Sequence, residues 1–130
     1  MTTGFVYYIG SQAPTPRVKI GYTSGSPHAR MAALQTGSPT PLAMIAMHRG
    51  TLADEQRLHE KFAASRLHGE WFDMTEELFI HLGTCVWLEA ASCIERGEAA
   101  PRWVRVGLQS MHEDHPLPDD LAALLEPVDG

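Results

Sequence analysis

Three short runs of strand-forming residues lie in the first half of the chain. Residues 5–9 and 17–22 are rich in β-branched and aromatic residues, and a connection containing two prolines separates them. Such residues favour extended backbone, so these two runs predict an antiparallel hairpin. Residues 41–48 are almost continuously apolar and predict a third strand.

The positions between and after these strands follow a helical pattern. A serine before a proline predicts the start of one helix, because serine caps the free backbone N–H groups and proline fits the first turn. Thr51 and Asp54 have the spacing of a capping box and predict the start of a second helix. A long apolar-periodic segment that stops at a glycine predicts a third. The predicted helices cover residues 26–35, 51–65 and 76–96.

This order of elements predicts an α/β (α+β) fold with a small, three-stranded, mainly antiparallel sheet flanked by helices. Residues 1–97 are expected to form this domain, and residues 98–130 an acidic C-terminal extension that is partly ordered. Within the extension, the Trp103–Val106 segment predicts an edge strand or an ordered strap, and residues 121–125 a short helix.

The charge of the chain is unevenly distributed. The net charge is −6, but residues 1–72 carry +3 and residues 73–130 carry −9. The strand-rich part is therefore compatible with a surface that faces phosphate groups. No apolar run approaches the roughly 18 residues of a membrane span, no secretory signal is evident, and Cys85 and Cys93 lie too far apart on one helix for a disulfide, so we expect a cytoplasmic protein.

Charged side chains fall within the apolar faces of two predicted helices. At about 100° per residue, Glu55 and His59 share an arc with the apolar residues of the second helix, and Arg30 shares the apolar arc of the first. Burying such groups is costly without partners, so the pattern predicts a polar site at the margin of the sheet. Simpler interpretations are a solvated contact between Glu55 and His59 and an ion pair of Arg30 with Glu55 or Glu70. The histidine spacing matches no zinc site.

A set of motifs occurs in order along residues 4–83, and together they resemble one nuclease superfamily. They are VYYIG at 6–10, VKIGYT at 18–23, Arg30, Glu55 with His59, and GEWF at 69–72. This set resembles the GIY-YIG nucleases, in particular a phage and bacterial branch whose second motif reads KIG instead of YIG.

The resemblance implies roles for three residues. Tyr7 matches the tyrosine that acts as general base or orients the attacking water, and Arg30 matches the arginine that contacts the scissile phosphate. Glu55 matches the glutamate that binds a single divalent metal ion, Mg²⁺ or Mn²⁺. These residue types suit the reaction, because phosphodiester cleavage builds negative charge that cations stabilise.

Three further residues are implied to assist. Lys19 stands where many members have the second tyrosine, and Tyr22, which follows the glycine of this motif, is implied to substitute partly for that tyrosine. His59 is usual in the KIG branch, although many other members have an apolar residue there. The asparagine that better-known members carry late in the domain is missing, and the GEWF segment occupies that region.

The resemblance implies metal-dependent endonuclease activity on nucleic acid, with DNA preferred over RNA as substrate. The alternative is a non-catalytic module that keeps the fold and binds nucleic acid or a protein partner. The chain shows no separate DNA-recognition domain. Its acidic extension suits a protein partner or self-inhibition, or else is a solvated tail without contact to the site.

Overall fold

An antiparallel sheet of five strands dominates the first part of the computed structural model, which describes residues 3–12, 15–114 and 116–125. Its order is β3-β1-β2-β5-β4, and every neighbouring pair is antiparallel. The predicted α/β class with a mainly antiparallel sheet is confirmed, whereas the predicted number of three strands is wrong. The strands are β1 Gly4–Ser11, β2 Arg17–Thr23, β3 Leu42–Gly50, β4 Arg66–His68 and β5 Trp71–Asp73.

The two additional strands form a hairpin that the sequence did not reveal. Each of them has only three residues, too few for an alternating pattern to be recognised. Gly69 turns the chain between them at a φ of 56°, a conformation that suits glycine because it has no Cβ. The hairpin joins the sheet along β2, where Arg17, Val18 and Lys19 pair with β5.

Five helices accompany the strands in the described part of the chain. Ser26 caps α1 and its hydroxyl accepts from the Ala29 amide at 3.2 Å, while Thr51 and Asp54 form the predicted capping box of α2. The helix α2 is shorter than predicted, because the chain tightens into a 3₁₀ turn at Ala63–Ser65. The helices are α1 Pro27–Thr36, α2 Leu52–Lys61, α3 Glu76–Arg96, α4 Arg102–Asp114 and α5 Asp119–Ala122.

The segment predicted as an edge strand or strap is part of a helix. Trp103–Val106 lies in α4, which begins directly after Pro101. The helix α4 buries Trp103, Val104 and Leu108, and the four residues of the segment are too few to show this helical spacing. The predicted short helix is confirmed as α5 followed by a 3₁₀ turn at Ala123–Leu125.

The chain divides into two compact units, residues 1–80 and 81–130. The division falls inside α3, earlier than the expected boundary after residue 97. In the second unit, α3 and α4 pack closely enough that a Cβ at Gly107 would collide with the Val86 side chain. Cys85 and Cys93 are both free, as predicted.

The helix α3 is unusually apolar. By length and composition it could cross a bilayer. An 18-residue window of this helix has a mean hydropathy of 1.3, and 28% of that window is buried. The sequence was expected to contain no such segment. Core helices of soluble proteins share these properties, so length and hydropathy alone do not identify α3 as a membrane span.

The register of the sheet places the motif residues on defined faces. Tyr7 pairs with Gly21, Ile9 with Lys19, and Ser11 with Arg17. Because side chains alternate along a strand, these residues share one face of the sheet, and the interleaved residues share the other. Strand β5 extends the first face, since Trp71 pairs with Lys19.

Candidate active site at the edge of strand β2

The candidate site forms at the start of β5, where the edge of β2 extends beyond its pairing with that strand. There the Ile20 N–H donates to the carbonyl of Glu70 at 2.9 Å. The Ile20 carbonyl oxygen accepts from Nε2 of His59, also at 2.9 Å. A turn residue and a helix residue thus complete the backbone pairing of β2, and both are held against the same strand position.

The α2 helix presents Glu55 and His59 to this edge from successive turns. Glu55 is buried, with 6% of its surface exposed, and His59 is half-buried, with its ring packed edge-on against Phe72. Oε1 of Glu55 lies 3.3 Å from Nε2 of His59. The inward orientation that helical periodicity predicts for both residues is observed, so this pair is not a solvated surface contact.

The hydrogen bond to Ile20 determines what His59 can do. A carbonyl oxygen only accepts hydrogen bonds, so Nε2 of His59 must carry a proton. That nitrogen is consequently a hydrogen-bond donor to Ile20 and directs its N–H toward the region of Glu55, and while these contacts persist it is neither a proton acceptor nor a metal ligand. His59 therefore orients Glu55.

The environment of Glu55 opposes its ionisation. Burial raises the pKa of its carboxyl above the ordinary value of 4.5, and the negative charge of Glu70 raises it further. His59 and Lys19 act in the opposite direction. A carboxylate that is desolvated in this way gains from any additional cation, and carboxylate oxygen is a preferred ligand of Mg²⁺ and Mn²⁺. The chemistry of the Glu55 carboxylate therefore suits a divalent metal ion.

Lys19 and Glu70 form the second charged pair of the site. Nζ of Lys19 lies 2.9 Å from Oε2 of Glu70, and only 15% of the lysine side chain is exposed. The ammonium group also lies over the indole of Trp71, 5.9 Å from the ring centroid. Lys19 is therefore fixed on the face it shares with Tyr7 and does not belong to a solvated face of the sheet.

The two tyrosines of the first motif have different surroundings. Tyr7 is 1% exposed, and its ring covers Gly21 so closely that a Cβ at Gly21 would overlap the phenol. Tyr8 points to the other face, where its hydroxyl lies 2.8 Å from Nε2 of His48. Because Nδ1 of His48 donates to the Arg49 carbonyl, Nε2 of the neutral imidazole accepts a hydrogen bond from the Tyr8 hydroxyl. The sheet thus directs Tyr7, and not Tyr8, to the face that carries Lys19.

Arg30 and Tyr22 are the remaining two predicted residues. Arg30 is exposed, and Pro27 is the buried residue of α1, so the predicted desolvation of Arg30 is wrong. The predicted ion pair of Arg30 with Glu55 or Glu70 is also wrong, because in the described chain those carboxylates pair with His59 and Lys19. Tyr22 is half-buried, and β2 directs it to the face opposite Lys19.

Glu70 is the residue of the site that the sequence analysis did not assign. Its backbone carbonyl holds Ile20, and its side chain holds Lys19 and raises the pKa of Glu55. One sequence signal points to it, the glycine at position 69, which marks a tight turn that can return the next residue to the sheet. The turn at Gly69 indicates the position of Glu70 only when the strands β4 and β5 on either side of it are known.

Comparison with known proteins supports a nuclease-like assignment. No curated protein and no solved structure matches the chain significantly. A family model, the T5orf172 domain, matches residues 4–94, which include the sheet and the candidate site. The chain therefore belongs to the T5orf172 domain family, a phage-associated, nuclease-like domain related to GIY-YIG and HNH endonucleases.

Proposed function

We propose that the protein is a metal-dependent endonuclease of the GIY-YIG type that hydrolyses phosphodiester bonds, with DNA as its preferred substrate. The observation that carries this proposal is the buried Glu55 carboxylate, held by His59 beside the Lys19–Glu70 pair. A fold needs no buried carboxylate at a sheet edge, and its ionisation costs stability. Such a group is typical of a site that binds a cation or transfers a proton.

The reaction sets requirements that the chain's own residues meet. A water oxygen forms a bond to phosphorus, the bond to the leaving sugar oxygen breaks, and one proton leaves the water while another reaches the leaving oxygen. We assign Tyr7 to orient the water or accept its proton, with its ring fixed against Gly21. Arg30, exposed and without a carboxylate partner among the described residues, is suited to hold the scissile phosphate.

The remaining groups of the site determine the charge near the scissile phosphate. Glu55 would hold a divalent metal ion, which supplies positive charge for the oxygens of the phosphate when bound. His59 keeps the Glu55 carboxylate in place through Nε2. Lys19 adds a fixed positive charge on the Tyr7 face, and Glu70 limits its movement. Tyr22 is assigned an assisting role only through its position in the KIG motif.

Plasmid nicking with a matched pair of variants tests the proposal. Wild type, Glu55→Gln and Glu60→Gln are incubated with supercoiled DNA in Mg²⁺, in Mn²⁺ and in EDTA, with a structured RNA as a parallel substrate. Glu60 lies on the same helix but is exposed, so its variant controls for the loss of one acidic charge. We expect Glu60→Gln to cleave at the wild-type rate. The cleavage rate of Glu55→Gln should fall at least about a hundredfold, as is typical when a group that stabilises the charge of the transition state is removed. EDTA should abolish cleavage by all three.

Two outcomes contradict the proposal. Equal cleavage by wild type and Glu55→Gln would show that the activity does not use this site. Binding of nucleic acid without cleavage in either metal would favour the alternative, a non-catalytic module that retains the fold. The acidic second part of the chain is the feature that favours this alternative, because negative charge opposes a polyanionic substrate.

A further inference from the structure

A pocket with several polar groups in its walls lies on the sheet face that carries Tyr7 and Lys19, beyond the candidate active site. It has a volume of about 380 Å³ and lies within the first unit. Strand β1, strand β2, the β4–β5 hairpin and the loop after α1 line it. The residues used below are Ser11, Arg17, Ser38, Thr40, His68 and Trp71.

Arg17 gives this pocket an unsatisfied positive charge. Its Nε atom is buried and has no hydrogen-bond partner. Within the described chain, the five ion pairs include no contact between the Arg17 guanidinium and a carboxylate. A buried N–H without a partner costs about 1–3 kcal/mol, and a guanidinium without a carboxylate is well suited to an oxyanion, which it can grip through two parallel hydrogen bonds.

The other walls suit the remainder of a nucleotide. Trp71 contributes a half-buried indole, on which the flat face of a base can stack. Hydroxyl groups lie on the opposite side. Ser11 Oγ is 3.2 Å from Thr40 Oγ1, and Ser38 Oγ donates to the Thr40 carbonyl at 2.9 Å, which leaves a cluster able to donate and accept hydrogen bonds. A cation, an aromatic plane and hydroxyl groups are the elements with which proteins bind single-stranded nucleic acid.

The position of the pocket relative to the candidate active site fits one continuous strand. Ser11 and Arg17 are paired four residues along the hairpin from Tyr7 and Gly21, which corresponds to about 13 Å at 3.3 Å per residue. A nucleic-acid strand in B form rises about 3.4 Å per nucleotide, so this is about four nucleotides. Trp71 links the two regions, since it lines the pocket and also carries the Lys19 ammonium over its ring.

We propose that this Arg17 pocket binds a nucleotide that flanks the scissile phosphate, with a backbone phosphate on the Arg17 guanidinium and a base against Trp71. The proposal rests on the proposed function, because it assigns the substrate of the candidate active site a second point of attachment. The pocket would anchor the substrate within the same unit as the candidate active site.

Binding measured without metal tests the pocket separately from catalysis. The anisotropy of fluorescein-labelled 12-nucleotide single strands and 12-base-pair duplexes is followed in EDTA with wild type, Arg17→Gln and Arg57→Gln. Arg57 pairs with Asp54 on the exposed side of α2 and is the matched control for the loss of one positive charge. We expect Arg17→Gln to weaken single-strand binding about tenfold or more, and Arg57→Gln to change it less than about twofold.

The salt dependence and a rescue variant sharpen this measurement. Loss of one phosphate contact should reduce the slope of log affinity against log salt by about 0.7 for a single strand in Arg17→Gln and leave it unchanged in Arg57→Gln. Trp71→Leu should weaken binding, and Trp71→Phe should restore part of it, because stacking needs an aromatic plane. Equal affinities and slopes for Arg17→Gln and Arg57→Gln would overturn the proposal.

Photo-cross-linking of the wild-type protein tests the pocket without any substitution. A thymine strand that contains 5-iodouracil is irradiated in the complex, and the cross-linked peptide is identified by mass spectrometry. We expect cross-links at Trp71 or His68, and cross-links confined to Trp87 or Trp103 would overturn the proposal.

The cleavage and binding experiments together distinguish the two proposals. If Glu55-dependent cleavage fails while Arg17→Gln still weakens binding, only the proposed activity is lost. If cleavage depends on Glu55 but Arg17→Gln binds like Arg57→Gln, only the pocket is lost.

Discussion

At the scale of single residues, Glu55 shows how the candidate site and stability oppose each other. Its burial disfavours the ionised form, and Glu70 adds to this effect, so the pKa is raised above 4.5. The folded protein therefore binds the Glu55 proton more tightly than the unfolded chain does. It follows that this residue lowers stability as the pH rises from about 4.5 through its raised pKa, and that the cost is complete once the pH lies above that pKa.

Replacement of Glu55 by glutamine should remove that cost. We expect the Tm of Glu55→Gln to equal or exceed that of wild type at pH 7.5, with the difference shrinking as the pH falls toward 4.5. Thermal unfolding of wild type, Glu55→Gln and the exposed control Glu60→Gln across this range measures it. Addition of Mn²⁺ should raise the Tm of wild type at pH 7.5 but not that of Glu55→Gln. A lower Tm for Glu55→Gln at pH 7.5 would show that ionised Glu55 stabilises the fold.

Gly21 illustrates a residue whose identity is set by a neighbour. The Tyr7 ring occupies the space that a Cβ at position 21 would need, so the Gly21→Ala methyl must push the phenol aside. We expect Gly21→Ala to lower the free energy of unfolding by about 1–3 kcal/mol and to reduce cleavage, because Tyr7 is displaced. Gly25→Ala is the control, since its Cβ would be 3.7 Å from Thr23 Oγ1, an ordinary contact. Denaturant unfolding and nicking that are the same for both variants would contradict this assignment.

At the scale of elements, the local signals in the sequence were sufficient where a cap or a turn marks an element, but they failed for α4, a 13-residue helix whose first turn was predicted as an edge strand or strap. The β1–β2 hairpin, the Ser26 cap and the Thr51–Asp54 capping box occur where the sequence predicts them. The inward faces of α2 were also predictable, because a ten-residue helix fixes the direction of each side chain. The packing between elements could not be predicted from the sequence. Pro27 is the buried residue of α1, so the apolar arc of this helix does not face the core, and the inward orientation predicted for Arg30 from that arc is wrong.

The β4–β5 hairpin is the element that tertiary structure, and not local sequence, defines. Its strands are three residues long and are stabilised by pairing with β2. Yet it positions Glu70 and Trp71, which connect the candidate active site to the Arg17 pocket. The sequence therefore identified Glu70 as part of the GEWF motif but did not predict its contacts with Lys19 and Ile20.

The Gly69 turn predicts opposite effects of two glycine-to-alanine changes. Gly69 has a φ of 56° and open space around a hypothetical Cβ, so Gly69→Ala is penalised only by backbone strain, about 1–2 kcal/mol. Gly83 lies inside α3, also with open space, so Gly83→Ala should stabilise the protein by about 0.5–1 kcal/mol. Denaturant unfolding measures both. A neutral or stabilising Gly69→Ala would show that the hairpin does not depend on this turn conformation.

At the scale of the whole molecule, the net charge lies entirely in the second unit. Residues 1–80 contain seven Lys and Arg and seven Asp and Glu, so residues 81–130 carry the full −6. The acidic extension was expected to oppose binding of nucleic acid or to be a solvated tail without a role. Part of it, including Glu126 and Asp129, lies outside the described residues. The described part is folded, since α4 continues to Asp114 and Leu121 is buried.

Removal of charge is consequently a better test of the extension than truncation after Ser110, which would cut α4 and delete Leu121. We expect the triple variant Glu113→Gln, Asp119→Asn, Asp120→Asn to bind DNA about twofold to fivefold more tightly than wild type at 25 mM salt. The gain should vanish near 0.3 M salt, where the Debye length falls below about 6 Å. A salt series of anisotropy titrations measures this, with Gln109→Ala, Ser110→Ala as a control that leaves the charge unchanged. If the curves of the triple variant and wild type overlap at every salt concentration, these carboxylates do not act on bound nucleic acid, because a repulsion that exists must be strongest where screening is weakest.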